Sequence, residues 1–195
     1  VTCTGYVGGY KGSDEYNYFP TLNCGEAYHT EKIVDKIKDE GIVNTGDGLY
    51  FIDDEFVFRG EFPNNYITFD GKLWRIVKIN KDDSIKIVYT DKDLKRSVWD
   101  DRYNQSNNSY SGINDFRVSR ILEYLEKGYQ DDEFVSKKNK NLLVSGSWCI
   151  GKMSQDNVPI TSLNLCDDVY DGLYVGLLQA DDVLKSSIDP NCINI

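Results

Sequence analysis

The chain is poor in histidine, methionine and proline, and each shortage excludes something. Its 195 residues include one histidine, His29, one methionine, Met153, and four prolines. A Ser-His-Asp or Cys-His relay could be built only around His29, in a polar stretch beside an expected helix start, where a plain surface histidine is the simpler reading. No two cysteines stand in a CxxC spacing, so a zinc site is not supported. Long apolar runs are also missing. The longest, residues 173–178, falls far short of the ~20 residues a membrane helix needs. No basic cluster relieves the charge: 22 Lys and Arg against 32 Asp and Glu leave a net charge of -10. Such a chain repels phosphate backbones and anionic lipid, which excludes nucleic acid as an expected partner. Neither a membrane span nor a signal peptide is read in it. It begins with Val1 rather than Met, so a processed or trimmed product is expected.

What is present is enough apolar material for a core, 40% of residues, and an abundance of aromatics led by 14 Tyr. Tyrosine in that quantity favours sheet and an amphipathic surface. Five cysteines fall into an N-terminal pair, Cys3 and Cys24, and a C-terminal trio, Cys149, Cys166 and Cys192. Local disulfides in an exported protein fit that grouping, with Cys3–Cys24 as the first. Within the trio, Cys149–Cys166 is expected, leaving Cys192 unpaired or bonded to another chain; Cys166–Cys192 is the rival.

Along the chain, residues 1–28 read as a Tyr- and Gly-rich lead-in, and residues 29–195 as one extracellular α+β domain. A helix is expected over 30–40, capped by Thr30, with Ile33, Val34 and Ile37 on its apolar face and Gly41 as its stop. A strand over 51–59 carries the acidic patch Asp53, Asp54 and Glu55. The clearest pattern spans 65–89. There Asp70-Gly71 is a hairpin signal between strands 66–69 and 72–79, and a turn at 80–84 leads to strand 85–89. Leu73, Arg75, Val77 and Ile79 alternate against Lys72, Trp74, Ile76 and Lys78, as in a meander with one face buried.

After an Asn- and Ser-rich loop at 103–112, a second helix is expected over 115–127. Asn114 caps it, Val118, Ile121, Leu122 and Leu125 form its buried stripe, and Gly128 ends it. A charged linker over 131–141, a core strand over 173–178 and a short helix over 181–186 complete the reading. Strands and helices do not alternate in βαβ fashion. The expected fold is therefore α+β, an antiparallel sheet meandering through residues 50–90 with two or three helices, stabilised by disulfides.

Chemical motifs are scarce. GxSxG, P-loop, GxGxxG and HExxH patterns are all missing. Carboxylates come in pairs at Asp53-Asp54-Glu55, Asp100-Asp101, Asp131-Asp132-Glu133, Asp167-Asp168 and Asp181-Asp182. A hydrolase would need two of them facing across a cleft. Hard cations want several oxygens on a tight loop. Asp167, Asp168 and Asp171 beside Gly172 are the calcium candidates, with residues 45–48 as a second Gly-flexed loop. Neither has EF-hand spacing.

The runs Gly46–Tyr50 (GDGLY), Phe56–Gly60 (FVFRG) and Pro63–Val77 (PNNYITFDGKLWRIV) resemble a family of exported proteins of Gram-positive bacteria. Ile121–Leu125, Trp148–Gly151 and Tyr174–Val183 resemble its later landmarks, so the likeness covers residues 30–190. Members often carry a prepilin-type N-terminal hydrophobic segment, or are otherwise surface-anchored, and have no assigned biochemical function. The resemblance therefore implies a cell-surface or pilin-like extracellular domain and supplies no catalytic residues. The family's hydrophobic anchor and its aromatic segment after Cys192 are lacking here, which implies trimming. In the PNNY motif, Asn64 and Asn65 read as a strand-launching turn in preference to a ligand site.

The expected function is a non-enzymatic surface or filament subunit without cofactor. It would self-associate or meet another surface protein, with Tyr6, Tyr10, Tyr16 and Tyr18 as the contact residues. The alternatives are a glycan- or ligand-binding module, aided by calcium, and a hydrolase using acidic residues.

Overall fold

The computed structural model describes residues 11–12, 15–16, 32–90, 97–105, 108–110, 112–113, 115–150, 166 and 168–189. Cys3, Cys24, Cys192, Asp167, Tyr6, Tyr10, Tyr18, His29, Thr30 and Asn114 lie outside them. The described residues form an α+β structure whose sheets are all antiparallel.

In the lead-in, β1 (Lys11–Gly12) pairs with β2 (Glu15–Tyr16), which holds the backbone of Tyr16. Helix α1 (Ile33–Asp39) is shorter than the sequence suggests and starts after Lys32, which makes no side-chain cap. Val34 and Ile37 are its buried residues, while Ile33 stays exposed.

The main sheet contains β3 (Gly48–Ile52), β4 (Glu55–Arg59), β5 (Tyr66–Phe69), β6 (Lys72–Ile79) and β7 (Ile85–Tyr89). The single strand expected over 51–59 is in fact the end of one strand, a tight turn and a second strand. Asp53 and Asp54 sit at φ 53° and 64°, the left-handed region that a two-residue hairpin requires and that Asp tolerates. Asp70-Gly71 makes the expected hairpin in the same way, at φ 52° and 71°. β4 and β5 pair with opposite ends of one side of β6, and β7 pairs along its other side. At the corner between β4 and β5, Asn65 is buried. Its Nδ2 donates to Ile76 O at 2.6 Å, its carbonyl accepts from Ile76 N at 2.7 Å, and its Oδ1 accepts from Arg75 Nε at 3.1 Å. The structural reading of the motif therefore holds at Asn65. Asn65→Ala should cost about 1–3 kcal/mol by leaving the Ile76 carbonyl short of a donor. A shifted urea midpoint with an unchanged slope would register it, and a neutral result would refute it.

The expected alternation along β6 fails because of one extra residue. Ile76 pairs with Ile87, but Lys78 pairs with Lys86, so Val77 is bulged. The bulge lets Ile76 and Ile79 share one face, where they pack with Val34, Ile37, Leu49 and Phe58, while Leu73 is exposed. It also turns Lys78 to the opposite face.

The remaining elements build a second core. A 3₁₀ turn, Phe116–Val118, precedes α2 (Arg120–Gln130). The uninterrupted helix expected over 115–127 is broken at Ser119, whose Oγ accepts from Leu122 N at 3.2 Å and caps α2. Val118 is exposed, contrary to the expected stripe, whereas Ile121, Leu122 and Leu125 are buried with Phe116 and Leu173. Gly128 does not end the helix. A Cβ there would lie 2.2 Å from the Phe134 ring, so the glycine admits that ring against α2. The charged linker contains a 3₁₀ helix, Lys137–Leu142, held by Asp70, which accepts from Ser136 N at 2.7 Å and Asn139 Nδ2 at 2.6 Å.

β8 (Gly146–Cys149) pairs with β9 (Val169–Leu173). The core strand expected over 173–178 lies earlier. Pairing stops at Leu173, and the chain beyond it passes over Trp148, whose indole donates to Leu177 O at 2.9 Å. The Cys149 and Cys166 sulfurs lie 2.06 Å apart, a disulfide separation that fits the expected pairing. Helix α3 (Ala180–Ser186) packs on β4 and β6. No helix among the described residues is long and apolar enough to cross a membrane.

Candidate functional site

The face of the sheet opposite α1 carries an enclosed group of charges. Because of the bulge, Lys78 and Lys86 are direct cross-strand partners, and two like charges so placed repel unless an anion separates them. Asp182 supplies the anion. Its Oδ2 is 2.8 Å and its Oδ1 3.1 Å from Lys86 Nζ, and its Oδ1 is 3.8 Å from Lys78 Nζ. On the other side, Lys78 Nζ lies 3.0 Å from both Glu55 oxygens. The Asp182 side chain is only 1% exposed and that of Lys78 10%. Lys185 closes the group, 3.1 Å from Asp53, 3.4 Å from Asp181 and 3.7 Å from Glu55.

Local rules fix each member. Asp182 is the third residue of α3, where its Oδ2 accepts from Gln179 N at 3.0 Å in a capping box. Lys185 stands one turn after Asp181. Arg59 and Gly60 reach the far end of α3: Arg59 Nε donates to Ser187 O at 2.9 Å and Gly60 N to Ser186 O at 2.9 Å. Trp148 of β8 lies with its ring 5.6 Å from Lys86 Nζ, so an aromatic wall borders the charges. Burial raises the Asp181 carboxyl above its ordinary pKa, against the pull of Lys185 and Lys78.

Of the sequence-selected acids, Asp53 and Glu55 meet Asp181 and Asp182 in this group, and the others serve separate structural tasks. Asp168 forms a two-pronged pair with Arg117, whose Nη2 is 2.6 Å from Oδ1. Asp171 accepts from Ser147 Oγ at 2.5 Å. Asp47, in the second Gly-flexed loop, accepts from Phe62 N at 2.8 Å. Asp100 is gripped by Arg102 at 2.6 and 2.9 Å and accepts from Ile113 N at 3.4 Å. Among the described residues, no three His, Cys, Asp or Glu side chains gather as a metal site. The acids of the group under α3 were marked by their pairing, but the lysines that gather them were missed, because the alternation Ile85-Lys86-Ile87 reads as a solvent-facing lysine. Nothing local announces the bulge that turns Lys78 the same way.

These carboxylates predict an acid limb. Hydrogen bonds from Arg102 hold Asp100 well below the usual carboxylate range, those from Ser136 lower Asp70, and those from Arg117 lower Asp168. Depressed folded values mean that the unfolded chain binds more protons. Their stabilisation is thus complete above the ordinary value of about 3.9 and is lost as pH falls below it. Asp181 has the opposite sign, its contribution lost as pH rises through its raised value. Urea midpoints should fall steeply below about pH 4, and less steeply in Asp100→Asn. An equal slope in that variant would refute the assignment.

No protein-family model, curated protein or solved structure matches the chain.

Proposed function

We propose that this chain is an exported structural domain, a cell-surface or filament-type subunit that works through contact with other protein surfaces. The observation that carries this reading is the Cys149–Cys166 pair at bonding distance, because such bonds persist in oxidising, extracytoplasmic settings. Two features support it. The paired carboxylates serve turns, caps and ion pairs, and large apolar side chains stand at the surface, among them Phe62, Tyr110, Leu142 and Val144. The Tyr-rich lead-in, with Tyr6, Tyr10, Tyr16 and Tyr18, is the proposed contact segment. Sedimentation of the full chain and of a chain lacking residues 1–20 tests this. The full chain should self-associate with rising concentration, and the shortened one should stay folded and monomeric. A full chain that remains monomeric at high concentration removes the subunit reading.

A glycan-binding module is the second reading, favoured by one observation. Tyr129 and Tyr174 stack at 4.9 Å with their planes 8° apart, and Lys140 Nζ lies 4.6 Å from the Tyr129 ring. A half-exposed aromatic face of this kind suits a sugar ring. Calcium assistance would require Asp168 to leave Arg117. Glycan-array binding abolished by Tyr174→Ala, in a monomeric chain, would favour this module.

A further inference from the structure

Under α3, an amine, a carboxylate and a proton carrier stand in an order that permits condensation. We propose that Lys78 and Asp182 form an intramolecular isopeptide bond, with Glu55 carrying the proton, so that α3 is tied covalently to the central strand β6. Lys78 Nζ is within hydrogen-bond reach of both Glu55 oxygens, at 3.0 Å, and 3.8 Å from Asp182 Oδ1. The β6 bulge aims this lysine at the helix, and the capping box fixes the carboxylate that meets it.

In water, the ammonium and carboxylate outlast the amide because both ions are solvated. Here the Asp182 side chain is 1% exposed and that of Lys78 10%, so most of that solvation is already lost. Condensation removes both charges from the enclosed face and releases one water to bulk.

The steps balance. Glu55 takes a proton from the Lys78 ammonium, and the freed lone pair attacks Asp182 Cγ. The carbonyl electron pair moves onto an oxygen facing Lys86 Nζ, at 2.8 and 3.1 Å from the two oxygens, and Gln179 N–H, at 3.0 Å from Oδ2. These donors stabilise the developing oxyanion. Glu55 then returns its proton to the departing oxygen and relays a second from the nitrogen to the same oxygen, so that the C–O bond breaks and water leaves. One of the three ammonium protons stays on the amide, Glu55 ends as it began, and nothing is oxidised or reduced. Lys185 keeps Glu55 within an ion pair throughout, at 3.7 Å.

Intact-mass measurement on the reduced full chain decides the matter. The expected mass is one water below that of the sequence, and tandem spectra of a digest should show a branched peptide joining Lys78 to Asp182. Glu55→Gln and Asp182→Ala should each restore the full mass, Glu55→Gln with an unchanged circular dichroism spectrum. A wild-type chain that keeps its full mass after prolonged incubation at neutral pH overturns the proposal. So does a water loss without a branch, as in a succinimide, or a branch at Lys86 or Lys185. Persistence of the branch in Glu55→Gln overturns the role of that residue. Should Asp182→Ala fail to fold, the wild-type and Glu55→Gln masses still decide.

Discussion

Replacing Ile79 with alanine should destabilise the protein by about 2–5 kcal/mol, a large part of the roughly 5–15 kcal/mol that holds a domain of this kind together. Ile79 is 0% exposed and sits where β6 is flanked on both sides, paired with Phe56 of β4 and Ile85 of β7. Its side chain packs with Val34 and Ile37 of α1 and with Leu49, Phe58 and Ile76 of the sheet. Neighbours fixed on three strands and a helix cannot collapse into the space left by the lost carbons, so the cavity cost adds to the transfer cost. Ile79→Val should cost only about 0.5–1.5 kcal/mol. Leu73→Ala, on the same strand but half exposed, should stay within about 0.5 kcal/mol. Urea midpoints at constant slope measure all three. If Ile79→Ala and Leu73→Ala prove alike, the bulge that separates their environments is misplaced.

The hairpin at Asp70-Gly71 and the strands on either side were legible because turn chemistry and alternation agreed there. The two-aspartate turn was not, since Asp53-Asp54 reads equally as an acidic patch on a strand. Only pairing between β3 and β4 reveals it as a hairpin. The break between the 3₁₀ turn and α2 was hidden because Val118 fits the helical stripe, yet Ser119 holds the cap. The enclosed charges under α3 were invisible for a longer-range reason. Lys78 and Asp182 are 104 positions apart by subtraction of their numbers, and what joins them is a bulge together with a helix docked from the end of the chain. The grouping of the cysteines narrowed the partner of Cys166 to Cys149 or Cys192, and the structure pairs it with Cys149.

Asp182→Ala should be the most damaging single change on the α3 face, costing about 3–5 kcal/mol. Made in the Glu55→Gln background, where condensation is blocked, the loss reports the carboxylate's ion pairs and its bond to the helix start. Without this carboxylate, Lys86 keeps its place opposite Lys78 with no anion between the two amines. The capping box at Gln179 loses its Asp182 half as well, a further cost of about 0.5–2 kcal/mol for the helix start. The penalty comes from stranded charge more than from lost attraction, which makes a second prediction about the same ions. Lys78→Met and Lys86→Met combined with Asp182→Leu remove all three ions and refill the space, and the change should recover most of the loss, because apolar replacements of buried ions are often neutral. Chemical denaturation of the two variants beside their parent separates the accounts. An apolar variant no better than Asp182→Ala would mean that the carboxylate acts mainly as the helix cap, and a single variant costing under about 1 kcal/mol would mean that water reaches this face after all.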